Sequence, residues 1–215
     1  MVIGHSVLGR PIEAIRFLPP SYARPRPTAI LFGAIHGDEP AGVLCLERLC
    51  AELIERPPGR ETWIVLALNP DGLAAGTKNN AHDVDLNRNF AATSWVRTHK
   101  AGYDPGPTPG SEPEARAIAE LIEHTGATRL IALHSPFRTV NWDGSGEALA
   151  VEMGALNGYG ASADIGYPTP GSFGSRYGRD LGLEVITLEL PYFEASEQAW
   201  IENRSALRLA VDLPP

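Results

Sequence analysis

The stretch that decides the fold runs Thr28-Ala29-Ile30-Leu31-Phe32-Gly33-Ala34-Ile35-His36-Gly37-Asp38-Glu39. Residues 28–35 form a continuous apolar run, as expected of a strand covered on both faces, and ionisable groups arrive where that strand should end. In open α/β sheets, ligand sites lie beyond the carboxyl ends of the strands. An imidazole and a carboxylate three residues apart, in a turn entering a helix, can converge on one cation. The plainer alternative is a semi-buried, hydrogen-bonded His36 beside a Glu39 engaged in a surface salt bridge.

The same apolar texture recurs at 62–68, 128–133 and 184–190, while 12–18 alternates less cleanly and reads as an outer strand. Helical patterns lie between these strands. Residues 40–55 place Val43, Leu44, Leu46, Leu49 and Leu53 on one stripe. Residues 112–124 follow Ser111 and Glu114 at capping-box spacing, with Ala115, Ile118, Leu121 and Ile122 at helical period. Residues 145–156 and 196–211 read as further helices, the last opening at Ser196. Strands alternating with helices predict a largely parallel sheet with helices on both faces. The expectation is a single domain over 1–215, a three-layer α/β/α sandwich with a mixed, mostly parallel sheet.

Composition narrows the classes of function. The chain has 215 residues and a formal charge of −8, which argues against a general nucleic-acid or anionic-membrane binder. No apolar run approaches the roughly 20 residues of a membrane helix. The opening Met1-Val2-Ile3-Gly4-His5-Ser6 has no basic segment followed by an apolar stretch, so the expectation is a soluble, cytoplasmic protein. Cys45 and Cys50 sit on different faces of one helix and read as small buried apolar residues. Glycine and proline (22 and 19 residues) are in surplus. They gather at 101–113 and 154–178, stretches long enough to suggest functional loops.

Other residues carry possible chemistry. His134 also ends an apolar strand, Ile131-Ala132-Leu133-His134. Two imidazoles and one carboxylate are the ligand set of a catalytic zinc with an open fourth position. Glu189 lies within the apolar run 185–191, where a carboxylate is costly without a partner. It is either a general base or a solvent-facing group on an edge strand beside Pro191. Asp85-Leu86-Asn87-Arg88-Asn89-Phe90 offers a guanidinium fork and an amide suited to a carboxylate, or else a structural turn with Arg88 in a salt bridge. No phosphate-binding glycine loop and no Gly-x-Ser-x-Gly elbow is present.

Taken in order, these motifs resemble the zinc carboxypeptidase family. The carrying segments are Gly4–Ile12, His36-Gly37-Asp38-Glu39, Asn69-Pro70-Asp71-Gly72, Asp85–Phe90, His134-Ser135 and Leu188-Glu189-Leu190. A closer resemblance is to the family's small bacterial murein tripeptide amidases, through Ser111-Glu112-Pro113-Glu114 and Tyr167–Ser175. The resemblance implies one zinc per chain, held by His36, Glu39 and His134, with Glu189 as the catalytic base. It implies a small peptide substrate whose free C-terminal carboxylate is clamped by Asn87 and Arg88. The reaction it implies is hydrolysis of a γ-D-glutamyl–meso-diaminopimelate bond during cell-wall recycling.

Two departures stand out. Relatives often carry arginine where this chain reads Ala75-Gly76-Thr77-Lys78, so Lys78 becomes the candidate for steadying the oxyanion. The substrate-covering tyrosine of larger family members corresponds in this reading to Tyr177, with Arg176 a second candidate cation for an acidic substrate group. The competing readings are an N-acyl-amino-acid deacylase of the succinylglutamate desuccinylase or aspartoacylase type, and a non-catalytic binding module. Oligomeric state is not legible.

Overall fold

In the computed structural model, which describes residues 1–21, 26–98, 100–192 and 194–212, the run opening at Thr28 becomes a fully buried strand in mid-sheet. Along the chain the strands are β1 (Val2–His5), β2 (Pro11–Phe17), β3 (Ala29–Phe32), β4 (Thr62–Val65), β5 (Arg129–His134), β6 (Thr139–Gly144), β7 (Ala161–Ser162) and β8 (Glu184–Glu189). They form one sheet in the order β1-β2-β4-β3-β5-β8-β6-β7. The central four, β4, β3, β5 and β8, run parallel. β2 adds to β4 antiparallel, and β6 does the same to β8.

The helices are α1 (Ala41–Glu55), α2 (Pro70–Ala75), α3 (Pro113–Thr125), α4 (Glu147–Asn157) and α5 (Glu197–Val211). Successive residues of the central strands enter two different cores. Leu31, Ile64, Ile131, Leu133, Ile186 and Leu188 pack with residues of α1, α4 and α5. Ile30, Phe32, Trp63, Val65, Leu130 and Val185 pack with α3, Phe173 and Tyr177. Both faces are covered, so the strands need no polar alternation, and each buried aliphatic side chain contributes roughly 1.5–3 kcal/mol. The expected three-layer α/β/α arrangement and mixed sheet are therefore what the chain adopts.

Several local expectations differ from the structure. The strand starting at Ala29 ends at Phe32, because Gly33 and Ala34 turn away to accept from the amides of Leu68 and Asn69. Ser111 and Glu114 form no capping box. α3 starts at Pro113 with Glu112 in the cap position; the Ser111 hydroxyl donates to Glu112, and Glu114 accepts from Val7 N–H. On α1 the buried stripe includes Cys45 and Cys50, both free, whereas Val43 and Leu44 are half-buried. The stretch 154–178 is not one loop. Its start belongs to α4, and Gly174–Asp180 winds as a π-helical turn. Among the described residues, no helix is long and apolar enough to cross a membrane.

Candidate metal centre and active-site cleft

β3, β5 and β8 are neighbours, and their carboxyl ends bring three motifs to one edge of the sheet. His134 and Glu189 are the last residues of β5 and β8 and stand opposite each other in register. His36 arrives from the turn after β3. That turn lies so close to α2 that a Cβ on Gly37 would sit 2.0 Å from the carbonyl carbon of Gly72. Asn69 holds the junction: its Oδ1 accepts from Gly72 N–H at 2.9 Å, and its Nδ2 donates to the Ile35 carbonyl at 3.4 Å. Gly37 is thus required by backbone contact, and Gly72 by the Asn69 amide, whose Nδ2 would lie 2.3 Å from a Cβ there.

Glu39 joins the two histidines. Its Oε1 lies 2.8 Å from Nδ1 of His36, and its Oε2 lies 3.0 Å from Nδ1 of His134. The Ser135 amide donates to the same Oε2 at 3.1 Å. All three side chains are buried, with potential ligand atoms within 4.8 Å of one another. Behind His36, Nε2 meets Asp85 Oδ1 at 3.1 Å, which leaves Nδ1 facing Glu39. Burial alone would lower the His36 pKa, but the charges of Glu39 and Asp85 outweigh it and raise it to about 10. Glu39 is likewise held down to about 2 by the two imidazoles, against the opposing effect of burial. The surroundings thus favour positive charge at this point. Two imidazole nitrogens, one carboxylate and a second carboxylate behind the first ring fit a catalytic zinc centre.

Glu189 borders the same cleft. It is buried and flanked by β5 and β6 on both sides, so the edge-strand alternative does not apply. Burial, with some help from Glu39, pushes its carboxyl pKa above the usual range despite the nearby His134. That direction suits a group that must take and return a proton.

The cleft encloses about 240 Å³. Asn87 and Arg88 lie in its wall on a 3₁₀ turn, Leu86–Arg88, capped by Asp85. Arg88 Nη1 donates to the Asn87 carbonyl at 2.7 Å, and Tyr167 lines the same cleft. Asn87 Oδ1 accepts from Phe173 N–H at 3.0 Å, which fixes the amide. Lys78 also reaches the cleft, with Nζ 2.8 Å from Asp85 Oδ2 and 2.9 Å from the Gly102 carbonyl. Two of its three donors are therefore engaged.

Two expected site residues lie elsewhere. Tyr177 is 7% exposed and packs its ring against Phe90 and Phe173 in the core beneath the sheet. Burial pushes its phenol up to about 12. Arg176 lines a separate cavity with Tyr177, Phe90 and Ile122. Neither lines the cleft, and the tyrosines that do, among the described residues, are Tyr103 and Tyr167. The structure adds Asp85, within the Asp85–Phe90 motif, as a support for His36, and places Asp143 with Arg179 along the cleft. Asp143 lay on β6, whose sequence Thr139-Val140-Asn141-Trp142-Asp143 is too polar to read as a covered strand.

Comparison with known proteins follows the same lines. The sequence model of the zinc carboxypeptidase family matches residues 1–148. Murein peptide amidase A of Escherichia coli K12 is 35% identical over 225 residues, covering 95% of this chain and 88% of that protein. The crystal structure of murein-tripeptide amidase from Escherichia coli O157 superposes with a TM-score of 0.79 at 29% identity, over 100% of this chain and 92% of that one. The carboxypeptidase A of Helicoverpa armigera superposes at 0.77 with 17% identity, over 98% and 66% of the two chains, a likeness of fold.

Proposed function

The chain belongs to the zinc carboxypeptidase family, a family of peptide- and amide-bond hydrolases, and from that premise we propose that it releases a C-terminal amino acid from a small murein peptide. The bond we assign is γ-D-glutamyl–meso-diaminopimelate. The observation that carries the reading is Glu39 joined through both oxygens to two histidines at the strand ends, with Glu189 beside them in one cleft. The murein substrate is supported by the extent of the likeness to murein peptide amidase A, which spans nearly the whole chain.

In this reading His36, Glu39 and His134 hold one zinc ion. Zinc, when bound in such a set, polarises a carbonyl oxygen and makes water more acidic. Glu189 accepts the proton of the attacking water on its carboxylate and returns it to the leaving nitrogen. Its burial raises that proton affinity above an ordinary carboxylate's. Arg88, with the Asn87 amide, binds the carboxylate of the C-terminal residue and sets the cut at the last bond. Lys78 supplies positive charge near the developing oxyanion. Such a substrate is met in the cytoplasm, as cell-wall peptide is recycled.

The test is product analysis by mass spectrometry on zinc-loaded protein. The substrates are L-Ala-γ-D-Glu-meso-diaminopimelate, an N-acyl-amino acid and an ordinary α-linked peptide. Free diaminopimelate released from the first alone is the expected result. Cleavage of the acyl-amino acid alone would establish the deacylase instead.

A further inference from the structure

Away from Glu189, the cleft ends at a charged pair that the mechanism above does not use. Asp143, on β6, is 9% exposed, and its Oδ1 accepts from Arg179 Nε at 2.6 Å. Among the described residues, Asp143 Oδ2 and the terminal nitrogens of Arg179 have no hydrogen-bond partner, and both residues line the cleft. The backbone is shaped around this carboxylate. A Cβ on Gly174 would lie 2.1 Å from Asp143 Oδ2, and one on Gly178 would lie 2.3 Å from Asp143 Cβ. An almost buried carboxylate with one free oxygen is costly unless something else comes to meet it.

The sheet gives the pair its position. Asp143 stands opposite Val185, four residues back along β8 from Glu189, or roughly 13 Å by strand rise. Asn141 and Thr187 face each other between the two levels, and both line the cleft. A residue whose main chain lies by Glu189 and Arg88 would therefore extend its side chain past Asn141 and Thr187 toward Asp143 and Arg179.

We propose that Asp143 and Arg179 select the released residue, by binding a side chain that ends in an ammonium beside a carboxylate. Asp143 Oδ2 accepts from the ammonium, and the terminal nitrogens of Arg179 donate to the carboxylate. With the existing Asp143–Arg179 contact, this closes a ring of four alternating charges. The ligand end is neutral overall, so it can enter an acidic protein without a net electrostatic penalty. A lysine side chain would satisfy Asp143 but leave Arg179 without its anion. The proposal rests on the carboxypeptidase reading above and supplies what that reading lacks, a basis for telling diaminopimelate from lysine.

The experiment compares kcat/KM for L-Ala-γ-D-Glu-meso-diaminopimelate and its L-lysine counterpart in the wild type, Arg179→Gln and Asp143→Asn. Calorimetry of free meso-diaminopimelate and free lysine runs in parallel on the same proteins, and thermal melts confirm folding. The wild type should favour diaminopimelate in both measurements. Arg179→Gln should lower the diaminopimelate value about 10- to 100-fold and the lysine value little, collapsing the ratio. Asp143→Asn should weaken both. A folded Arg179→Gln protein that keeps the wild-type ratio overturns the proposal while leaving the carboxypeptidase reading intact. If the wild type cleaves neither peptide but does cleave an acyl-amino acid, it is the underlying reading that falls. If either variant fails to fold, the wild-type calorimetry decides: equal affinity for the two free amino acids overturns the proposal, and a clear preference for diaminopimelate supports it.

Discussion

Asp85 Oδ1 lies 3.1 Å from Nε2 of His36, on the side of the ring opposite Glu39. With a carboxylate on each side the ring is held as the imidazolium; a metal would displace the Nδ1 proton that faces Glu39, while Asp85 keeps the other proton on Nε2. Removing the carboxylate frees both the tautomer and the ring orientation. Asp85→Ala should therefore weaken zinc binding about 10- to 100-fold, by analogy with other carboxylates that support a ligating histidine. Competition with a chromophoric chelator measures this directly. Unchanged affinity would leave Asp85 as the counter-charge for Lys78 and the cap of the 3₁₀ turn, with no part in holding His36 for the metal.

Glu189 tests the division of labour within the cleft. It lies beside the trio that could hold a metal ion but does not belong to it. Glu189→Gln keeps the shape and removes the proton acceptor. The expected outcome is a kcat lower by roughly 10²–10⁴ with zinc still bound at the wild-type level by metal analysis. Full activity in that variant would remove Glu189 from the base role.

Arg88 should act on binding. Its fork can hold a carboxylate in two parallel bonds, which a lysine ammonium cannot reproduce. Arg88→Lys and Arg88→Ala should raise KM about 10- to 100-fold with a smaller change in kcat. A peptide amidated at its C-terminus supplies the control. The wild type should lose a similar factor on that peptide, while Arg88→Ala should scarcely distinguish it from the free acid.

The convergence of the candidate site residues was more legible in the sequence than the packing around them. His36, Glu39, His134 and Glu189 each follow or end an apolar strand, where a polar group is conspicuous, and the structure brings them to one cleft. Tyr177 could not be placed, since its direction depends on a π-helical turn with a spacing unlike an ordinary helix. β6 was hidden because one of its faces lines the cleft and so carries Asn141 and Asp143 in place of core residues. The capping box at Ser111 failed for a tertiary reason: Glu114 is buried against Val7 and Asn80, and these contacts outweigh the local motif.

The placement of Tyr177 makes a two-part prediction. Its ring fills a core shared with Phe90 and Phe173, and no hydrogen bond to its hydroxyl exists among the described residues. Tyr177→Phe should leave kcat and KM within about twofold of wild type. Tyr177→Ala should cost roughly 3–5 kcal/mol of stability in denaturant titration, as for other large aromatic deletions. A strong kinetic effect of the phenylalanine variant, with stability intact, would return Tyr177 to the active site.

Asp71 gives a pH dependence remote from the metal ligands. Its Oδ2 accepts from Leu8 N–H at 2.9 Å and its Oδ1 from Arg10 Nη1, tying α2 to the turn between β1 and β2. Burial would raise the carboxyl pKa, but the Leu8 amide and the Arg10 and Ser6 side chains together bring it below the usual aspartate range. A carboxyl with a lowered folded pKa binds its proton more readily in the unfolded chain. The stability it contributes is complete above the unfolded value of about 4, and is lost as pH falls through the folded value. Asp71→Asn should therefore lower stability at pH 7 and flatten the part of the acid limb below about pH 4, as read from chemical denaturation at stepped pH. If the two proteins instead lose stability in parallel between pH 7 and pH 3, Asp71 carries no proton linkage.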